Sequence, residues 1–242
     1  MIGIIGGSSL QNLHGLKIER KAVIRTPFGT PSAPVIYGTL NGHSLAFLAR
    51  HGLQHTIPPH LINYRANIWT LHHIGCKEIF AFSSMCSIVP DIHIGAIVIP
   101  DQLIDYTWNR QATFFNSQID TVHYTEFDEP YAAATRDKLI TIAKQQHCGY
   151  QGHGVYGVTQ GPRYETKAEI HRYRNDGCQL VGMTGMPEAA LAQEIGLDYA
   201  VCGLVTKQFT GDAPTKRLRD RENHSGNTGE TFSAFLSQLL RA

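Results

Sequence analysis

The stretch Ile2–Leu10, IGIIGGSSL, decides how the rest of the chain reads. An apolar run over Ile2–Ile5 ends in Gly6 and Gly7, followed by Ser8 and Ser9. Apolar residues at successive positions predict a strand covered on both faces, the habit of strands inside a parallel sheet. The glycines permit close backbone approach and the serine hydroxyls donate to anionic oxygens, so the turn reads as a phosphate cradle. It reads equally as an ordinary strand-to-turn. A dinucleotide fold would place GxGxxG here, and the third glycine is missing.

Outward from this stretch, runs rich in β-branched and aromatic residues recur at 34–37, 44–49, 78–82, 96–100, 155–159, 180–183 and 199–205. Helical patterns separate them at 61–73, 130–147, 167–176, 188–195 and 230–240. Thr166 with Glu169 three residues later forms a capping box, Gly177 marks a stop, and Pro187-Glu188 suits a first helical turn. Strands alternating with helices predict an α/β fold: a mixed, largely parallel sheet flanked by helices on both faces. The 242 residues fit a single domain covering 1–242. The polar stretch 209–229, with Gly, Pro, Asn and mixed charges, predicts a loop before the last helix.

Composition removes several classes of function. Lys and Arg number 21 against 20 Asp and Glu, and no stretch clusters one sign except the short segment 216–222, which argues against nucleic-acid or membrane-surface partners. No apolar run approaches the ~20 residues needed to span a bilayer. MIGIIGGSSL lacks the basic and long apolar regions of a signal peptide, so the cytoplasm is the expected compartment. Five cysteines, odd in number and without CxxC spacing, read as reduced thiols rather than a disulfide framework or zinc site. No metal or nicotinamide motif occurs.

The ends of the predicted strands carry the chemistry. LARHGLQHT, residues 48–56, runs a strand into Arg50 and His51, a planar donor fork and a second donor for a phosphate. His55 and His60 flank the TIPP turn. Ser83 and Ser84 follow another strand and Thr184 a third. In a parallel sheet the carboxyl ends share one edge, where ligands bind, so Ser8, Arg50, Ser83 and Thr184 converge on one anion site. TQGPRYETKAEI places Tyr164 and Glu165 ahead of a helix, an aromatic face beside a carboxylate that suits a purine. Met183 offers a soft apolar surface for a sugar. Singly, each has a blander reading as a packing or solvated residue. The Arg-His-Gly triplet also occurs at the active site of histidine phosphatases.

Seven segments in order, IIGGSSL, TPFGTPSAP, LARHG, NYRANIW, QLIDYT, TQGPRYET and GMTGMPEAALA, resemble the trimeric purine nucleoside phosphorylase family. The likeness runs from Met1 to about Val205, in the branch of 5'-methylthioadenosine and S-methyl-5'-thioinosine phosphorylases. It implies the phosphorylase/hydrolase α/β sandwich, a homotrimer, inorganic phosphate as cosubstrate and no cofactor or metal. It implies phosphate binding at Ser8, Arg50, His51, Ser83, Ser84 and Thr184, and nucleoside binding at Met183, Tyr164, Glu165 and Lys207. Glu165 and Lys207 become the candidate catalytic residues.

Three departures from the family pattern bear on activity. Lys207 stands where the family has Asn or Asp beside the base. A lysine only donates, so it suits N7 and O6 of a 6-oxopurine and opposes the amino group of adenine. Cys86 stands where the family has glycine near the nucleoside. His123 or Tyr124 takes the place of a histidine near the 5' end. Two other readings stay open here: a phosphatase forming phosphohistidine on His51, and a homologue that binds nucleoside without turnover.

Overall fold

The computed structural model describes residues 1–7, 15–115, 122–145, 149–209, 216–217 and 221–241. Its strands are β1 (Ile2–Gly6), β2 (Lys17–Ala22), β3 (Val35–Leu40), β4 (His43–Ala49), β5 (Glu78–Ser87), β6 (Ile97–Val98), β7 (Gln102–Asp105), β8 (Tyr150–Gln151), β9 (Val155–Val158), β10 (Leu180–Gly182), β11 (Asp198–Gln208) and β12 (Lys216–Arg217). The helices are α1 (Tyr64–His73), α2 (Ala133–Gln145), α3 (Lys167–Asn175), α4 (Glu188–Glu194) and α5 (Arg221–Leu239). All twelve strands join one sheet whose main path is β2-β3-β4-β1-β5-β10-β9-β7, with β11 also on β5.

The sheet is mixed and largely parallel, as its apolar strands predict. β1 pairs parallel with β4 and β5, β11 with β5, and β9 with β7 and β10. Strands such as β1 and β5 are covered on both sides. Ile68 and Leu71 of α1 and Leu191 of α4 cover one face, while Leu139 of α2 and Phe232 and Phe235 of α5 pack with Phe47, Phe80 and Phe82 on the other. Each of these large side chains contributes about 1.5–3 kcal/mol on burial. Asn63 caps α1 by accepting from the Ala66 amide at 3.1 Å, and Thr166 with Glu169 closes the expected capping box on α3.

One irregularity positions the site. β1 runs parallel to β5 and pairs with it only from Glu78 to Ala81. β10 runs antiparallel to β5 and pairs only at Cys86 and Ser87. β11 follows the opposite side of β5 from end to end. Between Phe82 and Met85, therefore, β5 has a neighbouring strand on one side only. The carboxyl ends of β1 and β10 face each other across this notch, and β4 ends beside β1 at Ala49, opposite Gly6. The sequence predicts strand ends gathered along one edge; instead β10 arrives from the opposite direction and the ends meet in the middle of the sheet.

Several boundaries also depart from the sequence reading. β5 continues past Phe82 to Ser87 because β11 continues past Val205 to Gln208 beside it, through an irregular register between Val205 and Lys207. β2, KIERKA, is an exposed charged edge strand with no apolar alternation to announce it. α5 starts at Arg221 rather than Glu230, so part of the predicted 209–229 loop is helix. Gly226, Asn227 and Gly229 are poor helix formers, but propensity yields to the packing of Phe232, Phe235 and Leu236 further along the same helix. Positions 210–215 and 218–220 lie outside the described residues.

Candidate active site

Arg50 leaves the end of β4 with its amide donating to Gly6 O at 2.9 Å, and its side chain is 2% exposed. A buried guanidinium needs acceptors in the same plane. Glu188, the first residue of α4 and fully buried, supplies them: Arg50 Nε donates to Oε1 at 2.5 Å and Nη2 to Oε2 at 2.9 Å. Tyr199 Oη donates to the same Oε2 at 2.9 Å. Burial alone would depress the Arg50 guanidinium, yet the Glu188 carboxylate holds it above its ordinary range. Arg50 Nη1 donates to Phe82 O at 3.0 Å, which puts the cation at the notch in β5. These bonds take three of its five N–H groups. Sequence reasoning placed Glu188 only as a first-turn helix residue. The signal available was the cost of leaving a buried arginine unpaired.

Across the notch, Ser83 Oγ and Thr184 Oγ1 lie 3.0 Å apart, both buried. Ser84, next in the strand, projects to the opposite face and is exposed. Thr184 sits in a turn wrapped tightly around Tyr156. A Cβ at Gly182 would lie 2.5 Å from Tyr156 Oη and one at Gly185 2.6 Å from Tyr156 Cε1. Gly182→Ala is therefore expected to lose about 1–3 kcal/mol through overpacking, part of which Tyr156→Phe in the same chain restores. Chemical unfolding of both variants checks it; no loss in the single variant contradicts it.

His51 donates from Nδ1 to Ile57 O at 2.8 Å and lies against His55 with ring centroids 4.5 Å apart. Burial first, and the Arg50 charge second, push its pKa down to about 4. It is a neutral ring whose Nδ1 is committed to the backbone. An unfolded histidine titrates near 6.5, so between about pH 6.5 and pH 4 the unfolded chain binds a proton that the folded chain refuses. Stability is therefore lost as pH falls through that window, at no more than about 1.4 kcal/mol per pH unit. Urea unfolding near pH 7 and near pH 5 is expected to show a smaller loss in His51→Asn than in wild type. Equal losses would refute this assignment.

The residues read as base contacts gather just after β9 and along β11. Thr159 Oγ1 donates to Glu165 Oε1 at 2.8 Å, tying the carboxylate to the end of β9. Lys207 Nζ stands 3.2 Å from the centroid of the Tyr164 ring, a cation–π contact. In the β5–β11 ladder Lys207 sits opposite Cys86. Burial pushes the Cys86 thiol up to about 11, with Lys207 opposing and Glu165 adding to the shift, so all three side chains share one environment. Gly161, at φ 63°, packs its backbone on Met183: a Cβ there would meet Sδ at 2.6 Å.

The structure thus gathers Arg50, Ser83 and Thr184 around the notch. It also gathers Tyr164, Glu165, Lys207 and Cys86 beside Lys207's strand, with Met183 next to Thr184. Ser8 lies outside the described residues. His123 and Tyr124, read as neighbours of the 5' end, line a cavity of about 400 Å³ with Thr113, Phe115 and Glu194. His123 stacks on Phe115, and Tyr124 is 92% exposed. Among the described residues no three His, Cys, Asp or Glu group as metal ligands, and no helix is long and apolar enough to cross a membrane.

A mixed sheet with anion donors at a central notch and a carboxylate and aromatic beside it can hold an anion next to a flat, hydrogen-bonding ring. The chain belongs to the phosphorylase superfamily, whose family model matches residues 1–241, and within it to the purine nucleoside phosphorylases, pentosyltransferases. It is 45% identical over 208 residues to "Probable S-methyl-5'-thioinosine phosphorylase" of Pseudomonas syringae pv. tomato, covering 86% of this chain and 85% of that one. It is 41% identical to the 6-oxopurine nucleoside phosphorylase of Pyrococcus furiosus, covering 87% and 80%. A methylthioadenosine phosphorylase from an antarctic soil metagenomic library superposes with a TM-score of 0.92 at 33% identity, covering 99% and 85%. Membership of this family removes the phosphohistidine reading of His51.

Proposed function

We propose that the protein cleaves the glycosidic bond of a purine nucleoside with inorganic phosphate, its preferred substrate being S-methyl-5'-thioinosine. The products are the free purine base and 5-methylthioribose 1-phosphate. The observation that carries this reading is the convergence of Arg50, Ser83 and Thr184 on the gap in β5, with Glu165 held by Thr159 just after β9 and Lys207 of β11 against Tyr164.

As the C1'–N9 bond breaks, positive charge grows on the sugar and negative charge on the base. Phosphate held at the notch stabilises the first and then bonds C1' through one oxygen. Donors to the base stabilise the second, and the purine leaves with the bond's electron pair and takes up at N7, through solvent, the proton that phosphate gives up on bonding C1'. The protein acts chiefly by fixing charges and distances, so no metal, cofactor or covalent enzyme intermediate is needed. Arg50, Ser83, Thr184 and Ser8 serve phosphate as donors, Ser84 through its backbone N–H alone, and neutral His51 by accepting a phosphate O–H at Nε2; Met183, Tyr164, Glu165 and Lys207 serve the nucleoside. Glu165 accepts from a purine ring N–H. Lys207 donates to O6 or N7, which favours a 6-oxopurine over adenine.

A homotrimer working in cytoplasmic purine salvage completes the proposal, supported by the family's ordered motifs and by the lack of a membrane-spanning helix among the described residues. A second reading, nucleoside binding without turnover, draws on the side chains of Lys207 and Cys86 at the base. Incubating the protein with methylthioinosine, methylthioadenosine, inosine, guanosine and adenosine, each with and without phosphate, separates the two. Phosphate-dependent base release, fastest from methylthioinosine, is the expected result. Thermal stabilisation by nucleosides without base release would favour the second reading and overturn the first.

A further inference from the structure

Arg110 is not among the predicted site residues, yet its guanidinium bonds six acceptors beside them. It follows β7 in a loop where Asn109 takes the left-handed conformation, φ 56°, a backbone state that asparagine tolerates better than most residues. Arg110 Nε donates to Gln160 Oε1 at 3.1 Å and Nη2 to the carbonyls of Gln160 and Thr159 at 2.8 and 3.3 Å. Nη1 reaches the carbonyls of Met183 and Met186 at 2.9 and 2.5 Å and Tyr64 Oη at 3.0 Å. Six acceptors share its five N–H groups.

The acceptors are not scattered. Thr159 and Gln160 follow β9 and lead into the turn that carries Tyr164 and Glu165, and the Thr159 hydroxyl itself holds Glu165. Met183 and Met186 bracket Thr184 in the turn after β10. Tyr64 opens α1 and bonds Pro59 O at 2.8 Å. After β9 and β10 diverge, these carbonyls have left the sheet ladder and need other donors. Only a planar five-donor group satisfies so many at once; a lysine has three donors at a single point.

We propose that Arg110 is a positioning residue that sets the base-reading turn at Glu165 against the turn holding Met183 and Thr184. It thereby fixes the distance between purine and phosphate. The inference rests on the phosphorolysis reading above but stands on contacts of its own. A misplacement of about 1 Å between reacting groups costs on the order of 100-fold in rate.

Arg136 provides the control. It also bonds three carbonyls, those of Pro100, Ile99 and Gly152 at 2.9, 3.5 and 2.7 Å, none of them in the site. Arg110→Lys and Arg136→Lys are compared for stability, for kcat and KM, and for amide hydrogen exchange. In Arg110→Lys, exchange at 159–165 and 183–188 is expected to accelerate at least about tenfold and kcat/KM for nucleoside to fall about 100-fold, mainly in kcat. Arg136→Lys, for a similar loss of stability, is expected to leave both unchanged. If exchange in those segments is the same in the two variants, or activity falls in step with stability in both, the proposal is overturned. If exchange accelerates in Arg110→Lys while the wild type releases no base, the positioning role stands and the functional reading fails.

Discussion

Replacing Glu188 with alanine is expected to cost about 3–5 kcal/mol of stability and to remove nearly all phosphate-dependent activity. The variant leaves the Arg50 guanidinium buried with no carboxylate beside it, and a charge in that position must either recruit water or pull the end of β4 out of place. Tyr199 loses its acceptor in the same step. Glu188→Gln keeps the shape and one acceptor oxygen, so its stability cost is smaller. Its activity still falls, because the fork of Arg50 is no longer matched at both teeth. Urea unfolding beside a base-release assay reads both quantities. A loss below about 1 kcal/mol in Glu188→Ala would mean that the pair is solvated in solution and that Arg50 is held by something else.

Lys207→Asn is expected to change which base is cleaved while hardly touching stability. The contact of Lys207 with the Tyr164 ring is on a half-buried side chain and is worth about 0.5–1 kcal/mol. At the base, however, lysine presents donors only, whereas asparagine presents both an acceptor and donors. An unpaired polar group facing an enclosed ligand costs about 1–3 kcal/mol, which is roughly 10- to 100-fold in rate. The ratio of kcat/KM for methylthioinosine over methylthioadenosine should therefore fall by about that factor. An unchanged ratio would show that Lys207 does not read the 6-position.

How much of this was legible in the sequence depended on whether the cause was local. The apolar run at Ile2–Ile5, the capping box at Thr166 and the α4 start at Pro187-Glu188 are local patterns, and each lies where its pattern predicts. The donor-bearing strand ends at Arg50, Ser83 and Thr184 were readable one by one. What brought them together was not, because the notch exists only where β1 and β10 stop short on the same side of β5. The exposure of Ser84 follows from the same extension of β5, since alternate residues of a strand face opposite ways.

Glu188 and Arg110 were missed for a different reason. Glu188's arginine is 138 positions away and Arg110's acceptors 46 to 76, and neither spacing has a periodicity to betray it.

The most direct test of the central claim is a crystal structure of the protein grown with inorganic phosphate and a purine nucleoside analogue that cannot be cleaved. The expected result is a tetrahedral anion over β5 between Phe82 and Met85, within hydrogen-bonding distance of an Arg50 Nη and the Thr184 hydroxyl, with the purine between Glu165 and Lys207. An anion bound anywhere else, with that gap filled by protein side chains, would contradict it.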